Sequence, residues 1–239
     1  MEKKSIEICP EFASEIVLSI PYAYWLHEQG LLEKVSICRG MKPFYWFCDN
    51  VDEKFMNRTL DNSIGLKDTP NKWLHHDCNP DASKRRNGVI NYSEWKVPPY
   101  RDHFKNNLFD HLKPYVVVNN IFNMPWLENG ALDIQNLYDI FLHLSEKGYN
   151  IIYKRPTNKE FALDGNEVQT LNLNSKLSAN VEGIGEITDY ELCNYFENVT
   201  NINDLHHELD LDYSTLNLKL FAETEGFVTI NGAGSQFCA

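Results

Sequence analysis

The end of the chain carries a small-residue turn of a kind that can hold an anion. An apolar, β-rich run, Phe227–Ile230, is followed after one asparagine by Gly232-Ala233-Gly234-Ser235. Where a parallel strand is followed by a helix in an α/β sheet, backbone N–H groups meet anionic ligands. The turn therefore predicts an α/β fold and an anionic ligand, although a tight β–α connection without a ligand would use the same residues.

Polar side chains end two other predicted strands in this half of the chain. Lys154 and Arg155 end one strand and supply cations at the same expected edge of the sheet. Asn119 and Asn120 end another strand, and their amides can hydrogen-bond a ligand or cap a turn. Ligands of open α/β sheets bind outside the carboxyl ends of the strands, so these residues are candidates for one site. The alternative for the two cations is solvent-exposed charge at a strand end.

A pair of aspartates offers a different chemistry. Asp210 and Asp212 form a D-x-D sequence just before the helix predicted from Ser214. Carboxylate oxygens are ligands for hard divalent cations, which also need further oxygen ligands. Acidic residues before a helix N-terminus are equally expected without a metal, because they favour the helix dipole. We therefore expect no metal here and keep the metal site as an alternative.

Composition bounds the classes of protein that this chain can belong to. Its 239 residues, 43% of them hydrophobic, suffice for one large or two small globular domains. A net charge of -12 excludes a uniformly basic nucleic-acid binder. No segment approaches the roughly 20 apolar residues of a membrane span. The N-terminus lacks the apolar core of a signal peptide, and the six cysteines form no C-x-x-C pair, so we expect a cytoplasmic protein.

The first part of the chain has the pattern of a β-α-β unit. Strands are predicted at Ser5–Cys9, Val35–Cys38 and Phe44–Cys48, and a helix is predicted at Glu15–Gln29. Periodicity then fades from about residue 50 to residue 107, which is long for a loop and indicates a surface excursion with a functional use.

The second part alternates strands and helices. Asp133 and Thr188 are predicted helix caps, the latter with Glu191 in a capping box. The predicted order is strand 115–118, helix 134–147, strand 149–153, helix 189–196, strand 199–202, helix 215–223 and strand 227–230. This order is typical of a doubly wound parallel sheet.

Three segments resemble a known group of enzymes, the GT-B glycosyltransferases, and within them the lipopolysaccharide heptosyltransferase-like group. Glu15-Ile-Val-Leu-Ser-Ile-Pro21 is similar to that group's acidic residue, apolar run and proline after the first strand. Phe141–Pro156 resembles the helix-Gly-strand step of its nucleotide domain, and Leu218–Ala239 resembles its helix, strand and Gly/Ser turn. The resemblance covers most of residues 113–239 and about residues 1–40.

The resemblance implies an α/β protein with two Rossmann-like domains facing a cleft, of the GT-B type. Residues 1–112 would be the acceptor-side domain and residues 113–239 the nucleotide-sugar-binding domain. Such an enzyme moves a sugar from a nucleotide-sugar donor to a glycan or glycolipid acceptor, here with inversion and without a metal or other cofactor. An inverting transfer needs a carboxylate base for the acceptor hydroxyl.

Each role in that reaction falls on a position of this chain. Glu15 aligns with the base and Glu11 is its nearby substitute; the alternative for Glu15 is a first-turn helix residue favoured by the dipole. The diphosphate would contact Lys154, Arg155 and the Gly232–Ser235 turn, with Asn119 and Asn120 as further donor contacts. The roles of the other positions follow from the resemblance, whereas Asn119 and Asn120 are candidates because of their place at a strand end.

Two departures from the resemblance keep other functions open. The first unit is short, and the sequence ends directly after the Gly/Ser turn, where a GT-B enzyme continues with helices. The expectation is either a version with a truncated or minimal C-terminal end or a different architecture. A non-catalytic nucleotide- or carbohydrate-binding α/β module is one alternative. The other is a metal-dependent GT-A glycosyltransferase that uses Asp210 and Asp212.

Overall fold

The computed structural model describes residues 2–10, 12–58, 91–120, 131–155 and 177–230. These residues divide into two compact units, one before Tyr100 and one from Tyr100 onward. Each unit contains its own parallel sheet. The predicted α/β class with parallel sheets is therefore confirmed.

The first unit is a three-stranded parallel sheet with one long helical connection. The strands β1 (Lys4–Glu7), β2 (Leu32–Cys38) and β3 (Val51–Phe55) lie side by side in that order. Between β1 and β2 the chain forms α1 (Phe12–Ser14), a π-helical segment (Glu15–Ser19) and α2 (Ile20–Glu28). The predicted helix is thus present, with a π-helical turn at its start.

Pro21 explains how this helical connection is held. Proline has no N–H to donate to the carbonyl of Val17 one turn earlier. The indole N–H of Trp95 donates to that carbonyl instead, at 2.7 Å. The carbonyl of Pro21 accepts from the backbone N–H of Lys96 at 3.1 Å. Trp95 therefore supplies the donor that the proline lacks, and Lys96 adds a second hydrogen bond to the same helical connection.

The predicted strand Phe44–Cys48 is wrong. The structure has a 3₁₀ turn at Lys42–Tyr45, and the third strand is Val51–Phe55. The carboxylate of Glu53 accepts from the backbone N–H groups of Gly40 (2.8 Å) and Lys42 (3.1 Å), which fixes the turn. The aromatic rings are buried as expected for a core strand, but they pack from a turn.

The second unit is built around a four-stranded parallel sheet. Its elements are α3 (Tyr100–His103), β4 (Tyr115–Asn119), α4 (Ile134–Glu146), β5 (Asn150–Lys154), β6 (Ser178–Val181), β7 (Gly185–Thr188), α5 (Asp189–Cys193), β8 (Val199–Asn201), α6 (Ile202–Leu209), α7 (Tyr213–Glu223) and β9 (Gly226–Thr229). The sheet order is β8-β5-β4-β9, and all these pairs are parallel. Strands β6 and β7 form a separate antiparallel pair.

Helix caps set the starts of the helices in the second unit. Asp133 accepts from the N–H of Asn136 at 2.7 Å, and Thr188 and Glu191 form the predicted capping box. Helix α7 is capped by Asp212, which accepts from the N–H of Thr215 at 2.9 Å. The sequence predicted Ser214 as this cap, which is wrong by two residues. The β6–β7 hairpin and α6 were not predicted.

The two faces of the second sheet bury separate apolar clusters. Val118, Ile151 and Tyr153 pack with α4 and α5, whereas Val117 and Ile152 pack with α6 and α7. Residues 100–112, placed in the first domain by the sequence, join this second unit.

Candidate functional site

The strand order of the second sheet contains a topological switch point. From β4 the chain moves outward to β5 and then β8, and it returns to the opposite side of β4 as β9. The helix between β4 and β5 packs on one face of the sheet, and the helices between β8 and β9 pack on the opposite face. In open α/β sheets this reversal opens a crevice outside the carboxyl ends of the strands, where ligands bind.

A row of three polar side chains lies at this carboxyl edge. Asn119, Lys154 and Thr229 end β4, β5 and β9 and are register partners across the sheet. The Lys154 ammonium donates to Asn119 Oδ1 at 2.9 Å, and Asn119 Nδ2 donates to the Thr229 hydroxyl at 3.1 Å. We call Asn119, Lys154 and Thr229 the polar row. It places one cation and two polar groups beside the switch point.

Lys154 lies between aromatic rings as well. Its ammonium is 5.7 Å from the ring centroid of Tyr213 and 5.8 Å from that of Phe221. Both rings belong to α7, so the lysine stem packs on the face that this helix covers. Asn119 is fully buried, whereas Lys154 is half-buried. Among the three, Lys154 is the charged group with access to solvent.

Arg155 has a different environment from its neighbour. Successive residues of a strand point to opposite faces, and Arg155 continues this alternation past the end of β5. Its guanidinium makes two hydrogen bonds to the carboxylate of Asp189, from Nε to Oδ2 and from Nη2 to Oδ1 at 2.9 Å. It also lies 4.5 Å from the ring centroid of Tyr190. Arg155 and Asp189 are 1% and 0% exposed, so the pair is desolvated.

The buried ion pair extends into a larger network. The Tyr153 hydroxyl donates to Asp189 Oδ2 at 2.8 Å and accepts from Asn120 Nδ2 at 3.1 Å. We call Asn120, Tyr153, Arg155 and Asp189 the edge network. Burial and then the Asp189 charge hold the pKa of Tyr153 well above its ordinary value. The phenol therefore stays neutral and remains a donor to Asp189.

One guanidinium nitrogen of Arg155 makes no hydrogen bond to the described residues. Nη1 has no hydrogen-bond partner among the residues that the structure describes, although the residue is 1% exposed. Asn120, in contrast, uses both ends of its amide: Nδ2 donates to the Leu132 carbonyl at 3.0 Å, and Oδ1 accepts from the Leu132 N–H at 2.9 Å. The predicted site residues of this edge thus separate into the polar row and the edge network, on opposite faces of the sheet.

Glu15, the predicted base, lies in a second buried network in the first unit. Its side chain is fully buried; Tyr45 donates its hydroxyl to Oε1 at 2.8 Å, and Arg58 Nη1 donates to Oε2. The same Nη1 donates to the Pro10 carbonyl at 2.9 Å. The Arg58 guanidinium lies 5.2 Å from the ring centroid of Phe12. Glu15 is thus an ion-paired carboxylate at the carboxyl edge of the first sheet.

The two networks share one design. Each joins a fully buried carboxylate to a tyrosine hydroxyl and an arginine whose guanidinium lies over an aromatic ring. In the first unit the three residues follow the three parallel strands, whereas in the second unit Tyr153 and Arg155 lie at the end of β5 and Asp189 begins α5 after β7. Such a pair is costly to break, because removal of one partner leaves an uncompensated buried charge.

The remaining predicted site residues have other positions. Glu11 and the turn Gly232, Ala233, Gly234 and Ser235 lie outside the described residues. Asp210 ends α6 in the left-handed conformation (φ 49°), while Asp212 caps α7. Within the described ranges, no cluster of three or more His, Cys, Asp or Glu side chains is arranged to hold a metal ion.

Three residues of the polar row and the edge network were missed by sequence reasoning. Thr229 carries a weak signal, since it lies in the apolar run before the Gly/Ser turn. Tyr153 is indistinguishable from a core residue of β5. The sequence marks Asp189 only as a residue at the start of a helix, because no sequence pattern indicates its contact with Arg155.

Of the helices in the described residues, none combines the length and the apolar character that a membrane crossing requires.

Comparison with known proteins adds no family to these findings. The sequence matches no protein-family model, and no curated protein or solved structure matches the chain.

Proposed function

We propose that the second unit binds the diphosphate of a nucleotide sugar at the carboxyl ends of β4, β5 and β9, and that the protein is a glycosyltransferase. The observation that carries the proposal is the polar row at the topological switch point. Crevices of this kind bind nucleotides in doubly wound sheets. A half-buried lysine supplies the charge that a diphosphate needs.

The chain order supports a phosphate ligand further. Ile230, which follows β9, is separated by one residue from the small-residue turn Gly232–Ser235. Backbone N–H groups of such a turn can bind phosphate oxygens without a side-chain charge. Lys154 would then stabilise the negative charge that grows on the leaving diphosphate during transfer.

Glycosyl transfer, rather than binding alone, rests on the resemblance to GT-B enzymes. In such an enzyme two α/β domains face a cleft, with the acceptor on the first and the donor on the second. The resembling segments fall at strand ends in both units: Glu15 follows β1, and Arg155 follows β5. Enzymes of this type replace a metal by cations and N–H groups.

Glu15 is the base in this proposal, and its environment sets a condition. The Tyr45 hydroxyl occupies the position from which a hydroxyl donates to Oε1. The carboxylate is also fully buried, so an acceptor hydroxyl can reach it only when neighbouring side chains move, and Tyr45 is the side chain that the acceptor would displace from Oε1. Catalytic hydrogen bonds often form only in the substrate complex.

Removal of the Lys154 charge tests the donor site. In Lys154→Met the apolar stem stays between the rings of Tyr213 and Phe221, and only the ammonium is lost. A hydrogen bond to a charged group contributes about 1.5–3 kcal/mol, so the Kd for the nucleoside diphosphate should rise roughly 10- to 100-fold. Calorimetric titration with UDP, GDP, ADP and CDP in turn measures this change.

The matched control is Lys147→Met. Lys147 is an exposed lysine at the end of α4. It precedes the amino end of β5, at the edge of the sheet opposite to the polar row, so its loss should leave the Kd within twofold. Equal weakening by both variants would show a nonspecific effect of charge and contradict the donor site. Failure of the unaltered protein to bind any of the four diphosphates would do the same.

The alternative is a non-catalytic nucleotide-binding module. The observation that favours it is the full burial of the Glu15 carboxylate between Tyr45 and Arg58. A module of this kind would bind the diphosphate and lose affinity in Lys154→Met, but it would neither transfer sugar to any acceptor nor hydrolyse the donor.

A further inference from the structure

Two buried side chains on the face of the sheet opposite to the polar row, Asn120 and Asp189, each hydrogen-bond several partners, and we call these two side chains the hubs. Asn120 is fully buried, and its amide is hydrogen-bonded to both backbone groups of Leu132, so it pairs with that residue as a strand would. Asp189 holds Arg155 by two hydrogen bonds from its side chain, while its backbone N–H donates to the Leu177 carbonyl at 3.0 Å. Each hub therefore fixes two parts of the chain that are distant in sequence.

Tyr153 is the link between these hubs. Its hydroxyl accepts from Asn120 and donates to Asp189, so both hydrogen-bonding functions of the phenol are used. Among the described residues, no other side chain contacts both hubs through a hydrogen bond. The loss of this single oxygen disconnects Asn120 from Asp189 and leaves the Arg155–Asp189 ion pair intact.

The edge network holds the same backbone that carries the polar row. Asn119 precedes Asn120, and Lys154 lies between Tyr153 and Arg155. The backbone N–H of Asn120 donates to the carbonyl of Lys154 at 2.9 Å, which extends the β4–β5 pairing beyond the end of the ladder. The positions of the Asn119 amide and the Lys154 ammonium therefore depend on hydrogen bonds made on the opposite face.

We infer that Tyr153 is a positioning residue for the phosphate-binding polar row, acting through Asn120. The inference rests on the proposed function, because the row must bind phosphate for its placement to matter. A displacement of a few tenths of an ångström in Lys154 lengthens a charge-assisted hydrogen bond that is normally about 2.7–2.9 Å. Tyr153 contributes to ligand affinity in this way without touching the ligand.

The experiment compares Tyr153→Phe with a matched variant, Tyr115→Phe. Tyr115 is also a fully buried tyrosine of this sheet, and its hydroxyl donates to the Leu220 carbonyl at 2.7 Å. It lies at the amino end of β4, opposite to the polar row. Each variant loses one buried hydroxyl, but Tyr153 loses two hydrogen bonds and Tyr115 loses one, so affinities are compared well below the unfolding temperatures of both variants.

For whichever of UDP, GDP, ADP and CDP the unaltered protein binds, we expect Tyr153→Phe to raise the Kd by about tenfold. Amide exchange at Leu132, whose N–H donates to Asn120, should quicken by a similar factor, because the side-chain carbonyl that accepts this hydrogen bond is less constrained. Tyr115→Phe should change both quantities less than twofold. Asn120→Ala removes the link to Tyr153 and also both hydrogen bonds to Leu132, so it serves as a second variant for the Kd alone should Tyr153→Phe fold poorly.

If the unaltered protein binds the diphosphate and the Kd of Tyr153→Phe lies within twofold of the Kd of the unaltered protein, the inference is overturned. The proposed function would still stand. The inference also fails if Tyr115→Phe weakens binding as much as Tyr153→Phe does. Absence of diphosphate binding in the unaltered protein would overturn the proposed function, and this inference with it.

Discussion

Replacement of Asp189 by alanine is expected to lower the free energy of unfolding by about 3–5 kcal/mol. The change leaves the Arg155 guanidinium, which is 1% exposed, without the carboxylate that compensates its charge. The Tyr153 hydroxyl loses its acceptor at the same time. Since a domain is typically stable by only about 5–15 kcal/mol, this change should remove a large fraction of the stability of the second unit. Chemical denaturation followed by circular dichroism measures the loss.

A double-mutant cycle separates the ion pair from other effects of the substitution. Arg155→Met removes the buried charge and keeps much of the side-chain volume over the Tyr190 ring. If Asp189→Ala is destabilising because it strands this charge, the double variant Asp189→Ala/Arg155→Met should cost less than the sum of the two single variants. Asp139→Ala, at an exposed position of α4, should change stability by less than about 0.5 kcal/mol. Additive effects within that margin would contradict a coupled pair.

Loss of the Glu15 carboxylate is expected to have the second large effect. Two variants separate its effect on stability from its effect on catalysis. Glu15→Ala strands the buried Arg58 charge, which should cost about 3–5 kcal/mol of stability. Glu15→Gln keeps the side-chain shape and a carbonyl that can accept from Arg58, so it should be better tolerated. The amide cannot accept a proton from an acceptor hydroxyl, and turnover per folded molecule should therefore fall about 10²- to 10⁴-fold.

The control for the second prediction is Glu33→Gln, since Glu33 is an exposed carboxylate that accepts a hydrogen bond from the Ser5 hydroxyl at 3.0 Å. Its turnover should equal that of the unaltered protein. Initial rates of sugar transfer are divided by the folded fraction from thermal unfolding, so that instability is not mistaken for lost catalysis. Full turnover per folded molecule in Glu15→Gln would remove Glu15 as the base and leave it a structural ion pair.

Local sequence signals sufficed for most of the second unit. The run Tyr115–Val118 is buried on both faces of its sheet, and the capping box of Thr188 and Glu191 forms as predicted. Such signals depend on neighbours within a few residues of each other, where propensity and capping act. The α/β class follows from their order along the chain.

The misplaced strand of the first unit shows where local signals fail. Phe44–Cys48 has the composition of a strand, but its conformation is decided by Glu53, which binds the N–H groups of Gly40 and Lys42 from β3. β-Propensity reports burial more than backbone conformation. Charged β3 residues such as Asp52, Glu53 and Lys54 gave no strand signal, because this strand is largely exposed.

The sequence predicted which strand ends carry the site residues, but it did not predict which side chains these residues pair with. Lys154 and Arg155 were expected to act together, whereas strand alternation separates their faces. The carboxylate that engages Arg155 is 34 residues further along the chain, and Arg58 is 43 residues from Glu15. Ion pairs between residues so far apart in the sequence are set by the sheet topology, which composition and periodicity do not encode.

Chemical-shift mapping of the isotope-labelled protein with a bound nucleoside diphosphate tests the central claim most directly. The largest shifts should fall on the amides of Asn119, Asn120, Lys154 and Thr229, with little change at the amino ends of the same strands, where Tyr115, Asn150 and Gly226 lie. Shifts concentrated at those amino ends, or confined to the first unit, would contradict a diphosphate site at the switch point.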